Sequence, residues 1–335
     1  MNNILITGGL GFIGSNFISF LLKKYSDKNI INLDSLTYAG NEQNLEKYHD
    51  DNRYTFIKGD ICDRVLIEKV FNKYKIDGII HFAAESHVDN SISHPDIFIK
   101  TNIIGTFNLL DVAFKNWMIG PNKKLDYYND SRFHHISTDE VYGSLGDTGL
   151  FKETTPYAPN SPYSASKASS DMIVRSYHET YGMNTVITNC SNNYGPKQHK
   201  EKLIPKIIFN ALNNLPIPIY GDGKNIRDWL YVEDHCMGID LVFNHGITGE
   251  VYNIGGKNEK TNIEIVEIIC DKLDKKIPKS SSYKNLIEFV EDRAGHDRRY
   301  AIDASKIEQN LNWKANENFD SGIDKTIDWY LNYYK

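Results

Sequence analysis

The chain has 335 residues, room for two domains at roughly 100–200 residues each. Apolar residues make up 40% and charged residues 24%, a globular profile that excludes a disordered, collagen-like or coiled-coil chain. With 38 basic against 44 acidic side chains the net charge is −6, so no global field attracts nucleic acid and any anionic ligand needs a local cluster of Arg and Lys.

No apolar run approaches the ~20 residues that cross a bilayer. Met1-Asn2-Asn3 carries no basic residue and does not read as the start of a signal peptide. Cys62, Cys190, Cys236 and Cys270 are far apart, with no CxxC pair and no metal-ligand spacing. The expectation is reduced, buried cysteines, a cytoplasmic protein and no metal site.

Residues 4–6 predict a first strand that runs into Thr7-Gly8-Gly9-Leu10-Gly11-Phe12-Ile13-Gly14. Glycines at this spacing let the backbone approach a pyrophosphate, and the helix predicted by Ile13, Phe17, Phe20 and Leu21 aims its N-terminal amides at that anion. Residues 30–33 predict a second strand. Asp34 follows it, placed to accept hydrogen bonds from an adenosine ribose and to repel the 2′-phosphate of NADP, which favours NAD. As an isolated feature Asp34 also reads as a simple turn residue. Residues 54–57 predict a third strand before Gly59-Asp60-Ile61, where Asp60 can bond an adenine amino group. Helical spacing returns at Val65, Ile67, Val70 and Phe71. Residues 79–82 predict a fourth strand, after which Phe82-Ala83-Ala84-Glu85-Ser86 offers small side chains along the path of a cofactor.

Residues 133–137 predict a fifth strand ending in Thr138-Asp139-Glu140. Strand-helix alternation implies an α/β fold, a Rossmann-type doubly wound parallel sheet, whose strand ends face the ligand crevice. Asp139-Glu140 suits an elimination, one carboxylate taking a carbon-bound proton and one acid protonating a departing hydroxide. The same pair in isolation reads as a solvated strand-end turn. Ser161-Pro162 signals a helix start, and Tyr163 and Lys167 then share one helix face. A nearby ammonium and a nicotinamide cation would lower the phenol's pKa from ~10 and let Tyr163 accept a proton from a sugar hydroxyl. YxxxK alone is also an ordinary surface pattern. Past about residue 193 loop signals crowd in, and two helical stretches remain at 262–273 and 319–334. The expected division is an NAD-binding domain over 1–192 and a smaller α/β C-terminal substrate-binding lobe over 193–335, with some chain exchanged near 170–190.

The sequence resembles the dTDP-glucose 4,6-dehydratase family of the extended short-chain dehydrogenase/reductase superfamily. The likeness rests on the glycine loop, Leu36-Thr37-Tyr38-Ala39-Gly40-Asn41, Ala83-Ala84-Glu85-Ser86-His87-Val88-Asp89, Ser137 to Gly143, Ser161 to Ala168, Asn189 to Pro196, Arg227 to Asp234 and Gly295 to Tyr300. Thr138-Asp139-Glu140 is the part particular to the dehydratases. The resemblance implies a hydro-lyase with tightly held NAD, regenerated each turnover, and the substrate dTDP-glucose. Tyr163 would deprotonate the 4-hydroxyl with Thr138 and Lys167 assisting, Glu140 would take the C5 proton, and Asp139 would protonate the departing 6-hydroxyl. It further implies NAD contacts from Gly8, Gly11, Phe12, Ile13, Gly14, Asp34, Ser35, Leu36, Thr37, Asp60, Ile61, Phe82, Ala83, Ala84, Ser86, Thr101, Tyr163, Lys167 and Asn193. Substrate contacts would come from Ser86, Thr138, Asn192, Lys202, Leu203, Pro218, Ile219, Tyr220, Arg227, Asn262, Arg293 and His296, the two arginines gripping a diphosphate. Ser35 and Ala294 stand where many relatives carry Lys and Pro. A homodimer paired through helices at 102–114 and 163–181 is expected, with rhamnose or another deoxysugar downstream. A sugar-nucleotide 4-epimerase, or a dehydratase for another nucleoside-diphosphate sugar, is the alternative.

Overall fold

The structure, a computed structural model, describes residues 1–292 and 297–334. Seven parallel strands form the main sheet. The first six are β1 (Asn3–Thr7), β2 (Asn29–Asp34), β3 (Tyr54–Lys58), β4 (Gly78–His81), β5 (Arg132–Thr138) and β6 (Thr185–Cys190). The seventh is Val251–Ile254, and the spatial order is Val251–Ile254, β6, β5, β4, β1, β2, β3. The order reverses at β1, so the strand ends on either side of it open a crevice there. Ile4, Leu5 and Ile6 are all buried because helices cover both faces.

The helices that position the site are α1 (Phe12–Lys24), α2 (Arg64–Tyr74), α3 (Thr106–Trp117) and α4 (Pro162–Tyr181). Local chemistry sets their ends. Asp63 caps α2 by accepting from the Leu66 N–H at 3.0 Å. Ser161 and Ser164 cap one another reciprocally at the start of α4, which Pro162 opens and Gly182 closes in the left-handed region (φ 65°). Before α3 the chain makes a π-helical stretch, Ile99–Gly105, so that residues 95–117 form one continuous helical run. By length and composition this run could cross a membrane, contrary to the sequence expectation, but half of its apolar window is buried inside the fold, where Leu109, Leu110, Val112 and Trp117 join the core under the sheet.

The chain exchange expected near 170–190 lies elsewhere. Residues 185–190 are a central strand, and it is Val232–His245 and Val251–Ile254 that return from the second lobe to the first. Val232–His245 carries an apolar face, Cys236, Ile239, Val242 and Phe243, that packs with Phe17 and Leu21 of α1, and Asp240 meets Lys24 at 2.6 Å. That pairing depends on distant residues and leaves no local signature. In the second lobe, Ile226–Tyr231 pairs with Asn192–Tyr194, Glu259–Thr261 and Arg299–Tyr300. Its core lies between Leu203–Leu212, Asn262–Lys276 and Phe319–Tyr333. The four cysteines are free thiols, three of them buried.

Candidate active site

The glycine loop is shaped by two close approaches. Gly8 sits at φ +70°, and a Cβ there would lie 2.7 Å from the Ala83 backbone. A Cβ on Gly11 would meet only the Gly8 carbonyl, at 3.4 Å, so its outer side is open to the cleft. Gly11 is also the N-cap of α1, with no side-chain cap and no acidic residue in the first turn. The first amides of α1 are thus left for an anion. Asp34 accepts from the Leu10 N–H (2.9 Å) and the Leu36 N–H (2.8 Å), one on each carboxylate oxygen. Burial raises its pKa, and these two N–H groups oppose the rise. Asp34 therefore braces the loop, and each oxygen retains a lone pair for a ribose hydroxyl. An open glycine face, uncapped amides and a buried carboxylate are the donor set that fits a dinucleotide.

A cavity of about 530 Å³ runs from this loop along the strand ends to Tyr163. It gathers Gly8, Gly11, Phe12, Ile13 and Gly14, then Asp34, Ser35 and Thr37 after β2, Asp60 and Ile61 after β3, and Phe82, Ala83, Ala84 and Ser86 after β4. Thr101 enters from the π-helical stretch, and Thr138, Asp139, Glu140, Tyr163, Lys167, Asn192, Asn193 and Lys202 close the far end. Leu36 turns away at φ 55° and packs on the core. Leu203, Pro218, Ile219, Tyr220, Arg227 and Asn262 stand in the second lobe outside the cavity walls, with Ile219 buried in that lobe's core. Arg227 stacks on Tyr300, 4.3 Å from the ring centre, and donates to the Asp297 carbonyl at 2.8 Å. Its charge also reaches Asp139, so the strand of the second lobe docks at the chemical end of the cleft. Arg293 and His296 lie outside the described residues.

Sequence reasoning passed over several walls of the cleft: Glu85, Lys100, Cys190, Gln198 and His199. Glu85 and Cys190 sit inside motifs quoted above, whereas Lys100 is aimed by the π turn, a device frequent at functional sites but silent in sequence. Asn102, fully buried, clamps this wall. Its amide accepts from the Glu85 N–H at 2.8 Å and donates to the Glu85 carbonyl (3.0 Å) and to Ser166 Oγ of α4 (2.8 Å).

At the catalytic end Thr138 leaves β5 extended, its hydroxyl accepts from the Glu140 N–H at 3.3 Å, and it stands near enough to the Tyr163 phenol to favour its ionised form. Asp139 is 2% exposed, and its Oδ2 has no hydrogen-bond partner among the described residues. Burial, with Glu140 and Asp228 adding negative charge, pushes its pKa well above the usual carboxylate range. Burial and the neighbouring carboxylates thus favour the protonated acid form of Asp139. Burial, with Glu140 and Cys190, also holds the Tyr163 phenol well above its ordinary value, and Thr138 opposes the rise. The sequence expectation concerns the phenol beside both the Lys167 ammonium and a nicotinamide cation; in the protein alone burial and the neighbouring negative charges set the direction. The Lys167 ammonium instead donates to the Ile136 carbonyl at 2.8 Å and lies 3.3 Å from His135 Nε2. Burial lowers Lys167 to about 8, against the attraction of Asp171. Among the described residues no group of three His, Cys, Asp or Glu side chains is arranged to hold a metal ion.

A family model described as GDP-mannose 4,6 dehydratase matches residues 5–326. The dTDP-glucose 4,6-dehydratase of Salmonella typhimurium is 55% identical, over 98% of this chain and 92% of that protein. Among solved structures, the dTDP-glucose 4,6-dehydratase of Bacillus anthracis in complex with NAD is 47% identical, with a TM-score of 0.86 over 99% of this chain and 97% of that one. The dTDP-glucose 4,6-dehydratase of Streptomyces venezuelae, with NAD and TDP bound, is 44% identical, with a TM-score of 0.89 over 98% and 97%.

Proposed function

The chain belongs to the nucleotide-sugar dehydratase family of the GDP-mannose 4,6 dehydratase model, and from that premise we infer that it is an NAD-dependent hydro-lyase converting dTDP-glucose to the 4-keto-6-deoxy sugar nucleotide. One observation carries the chemistry. Asp139 is a buried carboxyl group beside Glu140, pushed towards its protonated form by burial and by that negative charge and within electrostatic reach of Tyr163, and a 4-epimerase has no use for such a proton donor.

The chain's residues divide the work. Gly8, Gly11, Gly14 and the α1 amides seat the pyrophosphate of NAD, and Asp34 the ribose. NAD, when bound, accepts a hydride from C4 of the sugar and returns it to C6. Tyr163 takes the proton of the 4-hydroxyl, with the Thr138 hydroxyl sharing that contact. The phenol stands high in the protein alone, and the positive charges of Lys167 and of the nicotinamide ring are what favour phenolate. The resulting 4-ketone acidifies the C5 proton. Glu140 removes it while Asp139 delivers a proton to the departing 6-hydroxyl, and a proton goes back to C5 as the hydride is returned to C6. Ser86, Asn192 and Lys202 at the end of the cleft, and Arg227 beyond it, receive the sugar nucleotide, and the second lobe supplies most of that grip. Arg227 reaches this role through a guanidinium already stacked on Tyr300.

We place the protein in the cytoplasm, a placement supported by its free thiols. We also propose a homodimer joined through residues 102–114 and 163–181, supported by Ile104, Phe107 and Met172 at 47%, 40% and 51% exposure on those helices. A monomeric mass by light scattering would refute it. Incubation with dTDP-glucose tests the function directly. Mass spectrometry should show loss of one water. Conversion to dTDP-galactose at unchanged mass would make the protein an epimerase, and no turnover would refute both.

A further inference from the structure

Behind the reacting face of α4 lies a buried set of charged groups that the dehydration chemistry does not use. Tyr163, Lys167 and Asp171 follow one another at intervals of four on one face of α4. Lys167 and Asp171 are 4% and 2% exposed, and His135 of β5, between them, is fully buried. A single atom, His135 Nε2, lies 3.3 Å from Lys167 Nζ and 3.3 Å from Asp171 Oδ1. The other carboxylate oxygen, Oδ2, accepts from Ser137 Oγ and from the Tyr157 hydroxyl, both at 2.9 Å. His135 Nδ1 has no hydrogen-bond partner among the described residues. The Lys167 ammonium can only donate, so His135 Nε2 accepts from it and the ring proton sits on Nδ1, while Asp171 Oδ1 faces the same nitrogen at 3.3 Å without a hydrogen bond.

We propose that Asp171, across the His135 ring nitrogen from Lys167, is the buried counter-ion that keeps the Lys167 ammonium charged, and so is a positioning residue for proton removal by Tyr163. The proposal rests on the dehydratase reading and deepens it. An ammonium taken out of water needs an anion nearby or it gives up its proton. Burial and the charge of Glu140 act on the Tyr163 side and favour the protonated phenol, whereas Asp171 acts from beneath, on Lys167. The neighbours fit this division. His81 on β4, with its ring 5.2 Å from that of His135, and His134 on β5 are both kept neutral by burial, as is His135. Cys190 on β6 faces Lys167 as a thiol, pushed up to about 12 by burial. Tyr142 and Tyr157, from the chain before α4, are held far above their ordinary value by burial. Asp171 itself is raised by burial to about 6, with Lys167, Ser137 and Tyr157 opposing the rise, so it is ionised at neutral pH.

The test uses NAD-loaded protein carrying ¹³Cε-lysine, with the Lys167 signal assigned by its loss in Lys167→Arg. The parent should titrate near pH 8 at this signal, with a smaller inflection near 6 from Asp171. Asp171→Asn should move the upper midpoint down by about one unit and abolish the lower inflection. In the same variant the alkaline limb of C4 oxidation should move down equally, giving about tenfold loss above it. A purely structural role would lower the rate at every pH and leave the midpoints in place. Tyr157→Phe, which removes one donor to Asp171, should move the lower inflection upward, and it decides the matter if Asp171→Asn does not fold. Unchanged midpoints would overturn the proposal. Failure of the parent to dehydrate dTDP-glucose would overturn the functional reading instead, and the lysine titration would still judge the counter-ion.

Discussion

Asp139→Asn separates the acid from its surroundings. The side chain is 2% exposed and burial favours its uncharged acid form, with which the amide is nearly isosteric. The fold, NAD binding and C4 oxidation should survive, while protonation of the leaving hydroxyl should not. Loss of a general acid costs about 10²–10⁴-fold, or about 3–5 kcal/mol of barrier. Stopped-flow absorbance at the NADH band should therefore show oxidation at the parental rate, followed by a reduced-cofactor signal that persists because elimination stalls. Stability should move the other way. Asp139 has a folded-state pKa well above its unfolded value of 3.8, so the parent loses stability as pH rises from about 4 towards the folded value. The asparagine variant has no such loss, and its melting temperature should exceed the parent's by a margin that grows over this range. Dehydration at the parental rate would refute the reasoning, and so would a melting temperature at pH 7 below that of the parent.

Glu140→Gln should also stall elimination with oxidation intact, which persistence of the NADH band would show, and a normal dehydration rate would remove Glu140 as the C5 base. Tyr163→Phe should suppress the first hydride transfer by about 10²–10⁴-fold without loss of NAD binding, seen as disappearance of the NADH transient. Asp34→Asn presents one oxygen and one NH₂ where Leu10 and Leu36 both donate, so one backbone N–H faces a donor. This costs about 1–3 kcal/mol, and NAD affinity measured by fluorescence titration should fall about tenfold or more, with discrimination against NADP reduced.

What was legible in the sequence was local. The glycine loop, Asp34, the Ser161 cap and the Tyr163–Lys167 spacing depend on neighbours within one strand-turn-helix unit, and the structure places all of them as that spacing implies. The fourth strand ends at His81, one residue before the expected Phe82, because the chain already turns there to meet Gly8. What was not legible is carried by contacts between distant segments. The return of Val251–Ile254 beside β6, the π turn that aims Lys100, and the meeting of His135 with Asp171 have no short-range signature. The phenol of Tyr163 is the clearest instance. YxxxK shows an ammonium four residues away but not the burial, or the Glu140 carboxylate folded against the phenol from the end of β5, that raise it in the protein alone.

The central claim is that one site oxidises C4, eliminates water across C5 and C6, and returns the same hydride to C6. Turnover of dTDP-glucose deuterated at C4 tests it most directly. The account predicts a product lighter by one water, with the deuterium now on C6. Deuterium retained at C4 in a product of unchanged mass, or lost to solvent, would contradict it.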